Sequence, residues 1–293
     1  MSAKPIILIT GATGQVGNEF RFLSFTFREA AFIFASREAL DITKRKKVFD
    51  FFEKNGIQYV VNCAAYTAVD KAETDKKNAR AINARGAKNI AEAAQKHGAF
   101  LIHISTDYVY HSTKNLPFVE TDRESPQGVY AKTKLQGDKA VLKFCKEAMI
   151  LRTSWVYGSF GHNFVKTMLR LGTERTELSV VFDQIGTPTY ARDIARTILS
   201  IIRKIEDKEV GRVEATGIFH FSNEGVTSWF DFAQAIFKIK SLTCSVNPIR
   251  SEAFPTPAKR PPFSVLDKSK IKKVFGFKIS HWEVSLNEYL NQR

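Results

Sequence analysis

Short apolar runs alternate with longer amphipathic stretches along the first half of the chain. The runs are rich in Val, Ile and Phe, which is typical of strands buried on both faces, and the stretches between them repeat apolar residues at helical spacing. The pattern predicts strands at Ile6–Thr10, Ala31–Ser36, Tyr59–Ala65, Phe100–Ser105 and Met149–Thr153, with helices near Val16–Glu29, Lys44–Asn55, Asp75–His97 and Gln127–Glu147. This alternation predicts an α/β fold, a doubly wound parallel sheet of the Rossmann type, with its ligand crevice at the carboxyl ends of the strands.

The first predicted strand runs into a glycine-rich turn in which Gly11, Gly14 and Gly17 stand at the spacing GxxGxxG. Gly11 permits a sharp turn, Gly14 leaves the backbone open to a pyrophosphate, and Gly17 allows the following helix to pack closely on the sheet. The helix start adds free N–H groups and the positive end of a dipole. The turn therefore predicts a dinucleotide site, although an ordinary tight turn between a strand and a helix carries a similar pattern.

The alternation becomes less regular after Trp155. The pattern there predicts helices near Asn163–Leu171, Ala191–Lys204, Ser228–Ile239 and Trp282–Leu290, and strands at Leu178–Phe182 and Ile218–Phe221. The prolines of Phe254–Pro262 exclude a helix and predict an extended segment. We therefore predict two domains: residues 1–155 with about 185–216 bind the dinucleotide, and residues 156–184 with 217–293 form a smaller, partly interleaved α/β substrate lobe.

Composition narrows the class of protein. The 293 residues are 44% hydrophobic and 25% charged, an ordinary globular balance. No apolar stretch approaches the roughly 20 residues that span a bilayer, and the apolar start is too short for a signal peptide, so we predict a cytoplasmic protein without a membrane partner. The net charge of +14 is spread along the chain. Solvated helix faces are the favoured explanation for this excess of basic residues, attraction of an anionic substrate is the second, and binding of nucleic acid is the last. The scattered Cys and His residues predict no metal site.

Two further signals could carry chemistry. Tyr130 and Lys134 are four residues apart on a predicted helix, so their side chains share one face. A lysine ammonium there would lower the tyrosine pKa from its usual value near 10 and help the phenol to transfer a proton. Thr106 ends the fourth strand, where its hydroxyl could bond a substrate carbonyl. Each signal alone is common: a surface helix carries Tyr and Lys, and Thr ends many strands.

Together, in this order, the three signals resemble the extended short-chain dehydrogenase/reductase superfamily, with Thr106, Tyr130 and Lys134 at the positions of its catalytic triad. Longer blocks are similar to the dTDP-4-dehydrorhamnose reductase family, and they extend in order from residue 6 to about 262. These blocks are Val61–Glu73, Ser105–Tyr110, Arg152–Gly158, Asn163–Leu169, Asp183–Pro188 and Pro255–Pro261.

The resemblance implies hydride transfer from a reduced nicotinamide cofactor to the C4 keto group of a nucleotide-linked 4-keto-6-deoxy sugar. It implies that Tyr130 donates the proton, that Lys134 lowers the tyrosine pKa and holds the nicotinamide ribose, and that Thr106 bonds the sugar oxygen. The resemblance implies further contacts with three parts of the cofactor. The pyrophosphate would meet Gly11, Thr13, Gly14, Gln15 and Val16, and the adenine would meet Asp41 and Ile42. The middle of the cofactor would meet Ala64, Ala65, Tyr66 and Thr67. The substrate contacts it implies are Thr106, Asp107, Trp155, Asn163 and Arg260, of which Arg260 suits a diphosphate.

Two departures from the family pattern matter. The second strand ends in Ser36-Arg37 where an acidic residue would favour NADH, and this pair instead suits a 2′-phosphate, so we predict NADPH with NADH as the alternative. Some members bind Mg²⁺ through glutamates at a dimer contact, and one such position is Arg192 here. We therefore predict no metal, and a monomer or a homodimer.

Two other functions stay open at this point. Dehydratases of the superfamily carry an Asp-Glu pair after the triad Thr. Here Asp107 is followed by Tyr108, which argues against dehydration. Another nucleotide-sugar epimerase or reductase stays open as an alternative function. A non-catalytic NADP-binding subunit resembling methionine adenosyltransferase β is the alternative from a different class. The intact triad fits catalysis without excluding that role.

Overall fold

The computed structural model describes residues 4–292. Its strands are β1 (Ile6–Thr10), β2 (Ala31–Ala35), β3 (Tyr59–Asn62), β4 (Phe100–Thr106), β5 (Ala148–Thr153), β6 (Val156–Tyr157), β7 (Glu177–Val181), β8 (Ile185–Gly186), β9 (Thr189–Tyr190), β10 (Gly217–His220), β11 (Thr227–Ser228) and β12 (Ser245–Ile249). Its α-helices are α1 (Gln15–Ser24), α2 (Arg45–Asn55), α3 (Val69–Ala72), α4 (Lys76–Arg80), α5 (Ala87–His97), α6 (Gly128–Phe144), α7 (Phe164–Glu174), α8 (Ala191–Glu206), α9 (Trp229–Lys240), α10 (Ser269–Phe275) and α11 (Trp282–Leu290).

A six-stranded parallel sheet forms the centre of the molecule, in the order β10-β5-β4-β3-β1-β2. One face packs under α1, α8 and α10, and the other packs under α2, α5 and α6. Both faces are covered, which is why the strands read as continuous apolar runs. The predicted doubly wound α/β fold is confirmed.

The chain leaves β1 for β2 on one side and then crosses back to β3 on the other. Such a reversal opens a crevice beyond the carboxyl ends of the strands, between β1 and β3. The glycine turn after β1 and the segment after β3 therefore lie next to each other.

A second apolar cluster lies in the smaller lobe. It joins α7, α9 and α11 with the parallel pair β7 and β12, and aromatic rings form much of its interior. Tyr157 packs against Tyr190, Phe232 and Tyr289 at ring-centroid distances of 5.6, 5.6 and 5.5 Å. The second half of the chain thus builds a core of its own beside the sheet.

The predicted domain boundary at residue 217 needs correction. Strand β10 pairs in parallel with β5 and completes the central sheet, and Ile271 and Phe275 of α10 join the same core as Phe219. The sequence of a short apolar strand does not indicate which sheet the strand joins. The position of β10 is determined by long-range packing. The division of the rest into two domains stays a prediction.

The predicted helix Asp75–His97 is continuous from Lys76 to His97, but its middle is π-helical. A π-helical stretch, Ala81–Gly86, separates α4 from α5 and turns Asn83 into the interior, where the carbonyl of Asn83 lies against Gly137 of α6. A side chain on Gly137 would collide with that carbonyl, so the bulge and the glycine belong together. Helix α1 ends at Ser24, five residues before the predicted end, where the hydroxyls of Ser24 and Thr26 bond carbonyls of its last turn.

None of the described helices is both long and apolar enough to cross a membrane. The cytoplasmic location stays a prediction.

Candidate active site

The glycine turn after β1 forms a cradle at the start of α1. Gly11 has φ +61°, and a Cβ there would lie 2.7 Å from the backbone of Ala64, while a Cβ on Gly17 would collide with the carbonyl of Gly11. Gly14 is the N-cap and carries no capping side chain, and the first turn of α1 has no acidic residue. The N–H of Gly14 donates to the carbonyl of Gly11 at 2.9 Å, and the N–H groups of the first turn of α1 are left to bind an anion. The cradle fits the diphosphate of a dinucleotide.

The other predicted cofactor residues surround this cradle. Thr13 and Gly14 are exposed at its tip, and Gln15 and Val16 are half-buried in the first turn of α1. Ser36 and Arg37 follow β2, whose last residue accepts a 3.2 Å hydrogen bond from the N–H of Ala12, so they stand beside the cradle.

Asp41 and Ile42 come next along the chain and are held in place by their neighbours. Burial raises the pKa of Asp41, but hydrogen bonds from the Thr43 hydroxyl and N–H outweigh it and hold the pKa below its usual range. Ile42 is buried, and its carbonyl accepts a 2.8 Å hydrogen bond from Asn89. Their contact with adenine stays a prediction.

The segment Ala64–Thr67 after β3 forms the adjoining wall of the crevice. Asn83 fixes it by accepting from the N–H of Tyr66 (2.8 Å) and donating to the Tyr66 carbonyl (3.1 Å). The same amide donates to the hydroxyl of Thr133 on α6 (3.1 Å). One buried asparagine thus ties the predicted middle of the cofactor site to the helix that carries Tyr130 and Lys134.

The predicted triad is brought together where β4 ends against α6. The Thr106 hydroxyl donates to Asp107 (3.0 Å) and accepts from the N–H of Tyr108 (3.2 Å). The ammonium of Lys134 is buried and donates to the carbonyl of Ile104 at 2.7 Å. Burial lowers the pKa of Lys134 to about 8, against the opposing effect of Asp138.

Tyr130 differs from the sequence-based expectation in one respect. Burial raises the pKa of its phenol above the usual range, and the Thr106 hydroxyl beside it counteracts only part of the rise. The ammonium of Lys134, which is predicted to lower this pKa, bonds the Ile104 carbonyl and lies near Asp138, and the net direction is set by burial. A phenol is protonated at neutral pH whether or not its pKa is raised, so Tyr130 holds a proton that it can donate.

Asp107 is also buried beside the phenol. Burial raises the pKa of this carboxyl to about 7, although the hydroxyls of Ser264 and Thr106 nearby oppose the rise. One of its oxygens, Oδ2, has no conventional hydrogen-bond partner within residues 4–292. Thr153 of β5, in register with Thr106, also holds a buried hydroxyl without a partner there. These free polar atoms mark the carboxyl ends of β4 and β5 as a place that can receive polar ligand groups.

Trp155 holds an unusual conformation just beyond β5. Its φ of +45° is rare for a large side chain, and its indole stacks on that of Trp229 with centroids 3.5 Å apart and planes 7° from parallel. On its other side lies Gly186, where a Cβ would come within 2.5 Å of the indole. Strain of this kind is tolerated where the surroundings dictate it, often at functional sites. Trp229 was not singled out from the sequence.

Asn163 joins the smaller lobe to the glycine cradle. Its side-chain oxygen caps α7 by accepting from the N–H of Lys166 (3.0 Å), and its amide donates to the carbonyl of Gly158 (2.8 Å) and to the side-chain oxygen of Gln15 (3.0 Å). Its amide is thus engaged within the protein, and its contact with substrate stays a prediction.

A polar network that the sequence analysis did not identify runs beneath the triad. Asp138, one turn beyond Lys134, accepts from the Ser105 hydroxyl (2.8 Å) and from Arg152 (3.3 Å). Arg152 is fully buried and also pairs with Glu124 (2.9 Å) and donates to the Tyr110 hydroxyl (2.6 Å). The spacing of Asp138 from Lys134 was the available signal; Arg152 was hidden inside an apolar strand.

Arg192 forms an ion pair with Glu19 of α1 at 2.8 Å, in a buried position. Within residues 4–292 no three His, Cys, Asp or Glu side chains are grouped so that they could hold a metal ion. Arg192, which stands at one position of the predicted family site, is thus a cation paired with an acid. The absence of a metal stays a prediction.

A glycine cradle at the switch point of a doubly wound sheet, with Thr, Tyr and Lys converging one strand away, defines the class as a short-chain dehydrogenase/reductase. The family model described as "RmlD substrate binding domain" matches residues 5–293, and the chain belongs to this family. The resemblance to dTDP-4-dehydrorhamnose reductases is confirmed.

Individual relatives agree with this assignment. The dTDP-4-dehydrorhamnose reductase of Aggregatibacter actinomycetemcomitans is 42% identical over 96% of both chains. The crystal structure of a dTDP-4-dehydrorhamnose reductase from Clostridium acetobutylicum is 42% identical, covers 98% of both chains and superposes with a TM-score of 0.91. The reductase of Bacillus anthracis, solved in complex with NADP, is 37% identical, covers 98% of this chain and 99% of its own, and gives a TM-score of 0.92.

Proposed function

We propose that the protein uses NADPH to reduce the C4 keto group of dTDP-4-dehydro-L-rhamnose, giving dTDP-L-rhamnose. The observation that carries the proposal is the convergence of Thr106, Tyr130 and Lys134 at the end of β4, beside a free helix N-terminus. The assignment of the substrate is supported by the 42% identity of this chain, over 96% of its length, to a protein named dTDP-4-dehydrorhamnose reductase. The B. anthracis relative solved with NADP supports the cofactor.

Different residues would bind the cofactor and transfer the proton. NADPH, when bound, supplies the hydride. The cradle of Gly11, Gly14 and α1 would hold its diphosphate, and Ser36 with Arg37 would take its 2′-phosphate. Tyr130 would give its proton to the alkoxide that forms at C4, since a phenol is protonated at neutral pH and the alkoxide is the stronger base.

Thr106 and Lys134 would serve Tyr130. The Thr106 hydroxyl, fixed by Asp107 and the N–H of Tyr108, is placed to bond the sugar oxygen beside the phenol. Lys134 remains charged below about pH 8, so at neutral pH its ammonium would bind the nicotinamide ribose and stabilise the phenolate left after proton transfer. Asp107 and Trp155 would contact the sugar at the ends of β4 and β5.

The test is turnover of the 4-keto-L-sugar nucleotide, made from dTDP-4-keto-6-deoxyglucose by an epimerase. We expect NADPH oxidation in step with formation of dTDP-L-rhamnose, since the site supplies both a proton donor and a place for the hydride donor. The epimerase alone and the protein without sugar nucleotide are the controls. NADPH binding without oxidation would contradict the proposal and favour the non-catalytic subunit.

Cofactor choice gives a second prediction. Arg37→Gln should raise the KM for NADPH about tenfold or more and leave that for NADH within about twofold, because the lost charge-assisted hydrogen bonds reach only the 2′-phosphate. Both constants are measured at saturating sugar nucleotide. Arg175→Gln, an exposed arginine between α7 and β7, is the control. Equal loss with both cofactors would place Arg37 outside the 2′-phosphate site.

A further inference from the structure

The proline-rich loop of residues 254–262 is attached to the rest of the protein in two ways. Near its end, the N–H of Ile185 donates to the carbonyl of Pro262 and the N–H of Ser264 donates back to the carbonyl of Ile185, both at 2.8 Å. Nearer its middle, the loop is held by the side chain of Asp70, which belongs to the other half of the chain.

Asp70 makes two contacts with one carboxylate. Its Oδ1 accepts from the N–H of Ala258 at 3.2 Å, and its Oδ2 accepts from Nη2 of Arg260 at 2.6 Å. Asp70 lies on α3, three residues after the segment Ala64–Thr67 that the cofactor is proposed to touch. The carboxylate thus connects the cofactor side of the crevice to the loop that carries Arg260.

Arg260 is held in a defined orientation at the wall of a cavity. Its side chain is 20% exposed, yet Nη1 is covered and finds no acceptor within residues 4–292. The residue lines a cavity of about 340 Å³ together with His111, Gln184 and Lys259. A guanidinium fixed at the wall of this cavity would stabilise an anionic ligand there through its charge and its planar set of donors.

The guanidinium also lies close to the catalytic phenol. Burial raises the pKa of Tyr108 to about 12, and the charge of Arg260 beside it opposes the rise. The ring of Tyr108 packs edge-on against that of Tyr130, with centroids 5.7 Å apart. One tyrosine ring therefore separates Arg260 from Tyr130.

We propose that Asp70 is a positioning residue for substrate binding: it holds Arg260 through Nη2 and thereby fixes the guanidinium at the wall of the cavity, where it would meet the diphosphate of the nucleotide sugar. The inference rests on the proposed function, and it adds a residue that does not itself touch the substrate. The planar guanidinium can bind a carboxylate with one edge and a phosphate with another. Fixing the side chain in advance lowers the conformational entropy lost on binding.

The experiment compares wild type, Asp70→Asn, Arg260→Gln and the double variant. Binding of dTDP and of NADP⁺ is measured by calorimetry, and KM and kcat are measured with the sugar nucleotide. We expect Asp70→Asn to weaken dTDP binding and raise the KM about tenfold, with kcat within about threefold and NADP⁺ affinity within about twofold. In the Arg260→Gln background the second change should have little further effect, because the two residues act as one unit.

Glu147→Gln is the matched control, since Glu147 pairs with Arg212 at 2.8 Å with similar exposure and lies away from the crevice. Unchanged or tighter dTDP binding in Asp70→Asn, additive losses in the double variant, or equal loss of NADP⁺ binding would overturn the inference. The proposed function fails separately, if wild type binds dTDP without reducing the sugar. A wild-type protein that binds NADP⁺ but not dTDP would overturn both.

Discussion

Replacing Tyr130 with Phe is expected to lower kcat by about three orders of magnitude, because the alkoxide formed at C4 loses its proton donor. The ring itself should stay in place, since its edge-on contact with Tyr108 does not involve the hydroxyl. Binding of NADP⁺ and of dTDP should therefore change by less than about threefold. NADPH oxidation with saturating sugar nucleotide, together with calorimetric binding of both ligands, measures the two effects.

Tyr59→Phe is the control for the loss of a buried hydroxyl. Tyr59 begins β3 at the opposite end of the sheet, and its hydroxyl donates to Glu206 at 2.6 Å. Its kcat should stay within about twofold of wild type. If Tyr130→Phe kept more than about a tenth of the wild-type kcat, the proton would come from another group, and Asp107 with its pKa raised to about 7 would be the one to test.

Arg152→Met should reduce the free energy of unfolding by about 3–5 kcal/mol at neutral pH, because it removes the larger of the two cationic charges, Arg152 and Lys134, that compensate the buried carboxylate of Asp138. Arg152 is fully buried and pairs with both Asp138 and Glu124. Without the arginine, the pKa of Asp138, already raised by burial, should rise further. Urea unfolding at several pH values measures the loss.

The pH dependence distinguishes this cause from simple loss of packing. A carboxyl whose folded-state pKa lies above its unfolded value destabilises the protein at high pH and ceases to do so once it is protonated in both states. The deficit of Arg152→Met should therefore shrink as pH falls toward about 4. Arg170→Met, which breaks an exposed pair with Glu174, should cost less than about 1 kcal/mol at every pH. A pH-independent deficit would point to packing alone.

The fold could be predicted from the sequence where burial was complete. The five strands of the first half lie in the central sheet within a few residues of their predicted bounds, because strands covered on both faces must be apolar throughout. The place of strand β10 in the sheet and the π-helical stretch Ala81–Gly86 could not be predicted from the pattern of apolar residues. The place of β10 depends on which edge of the sheet is left unpaired, and the π-helical stretch depends on the contact of Asn83 with Gly137.

The candidate site divides in the same way. Gly11, Gly14 and Gly17 and the pair Tyr130 and Lys134 were recognisable because their spacing is local and matches one turn or one helix face. Longer-range partners had no such signal. Asp70 and Arg260 are 190 residues apart in sequence and meet only in the folded chain. The raised pKa of Tyr130 likewise follows from burial that no local pattern reveals.

The stack of Trp155 on Trp229 provides the protein with an internal optical reporter. The chain contains only three tryptophans, and the rings of these two are nearly parallel and stacked with centroids 3.5 Å apart. Indoles so close share their excited states, and the pair should dominate the near-ultraviolet circular dichroism, with Trp282 contributing separately. A ligand that shifts Trp155 by a fraction of a ring width would change that signal, so occupancy of the proposed sugar site could be followed without any label.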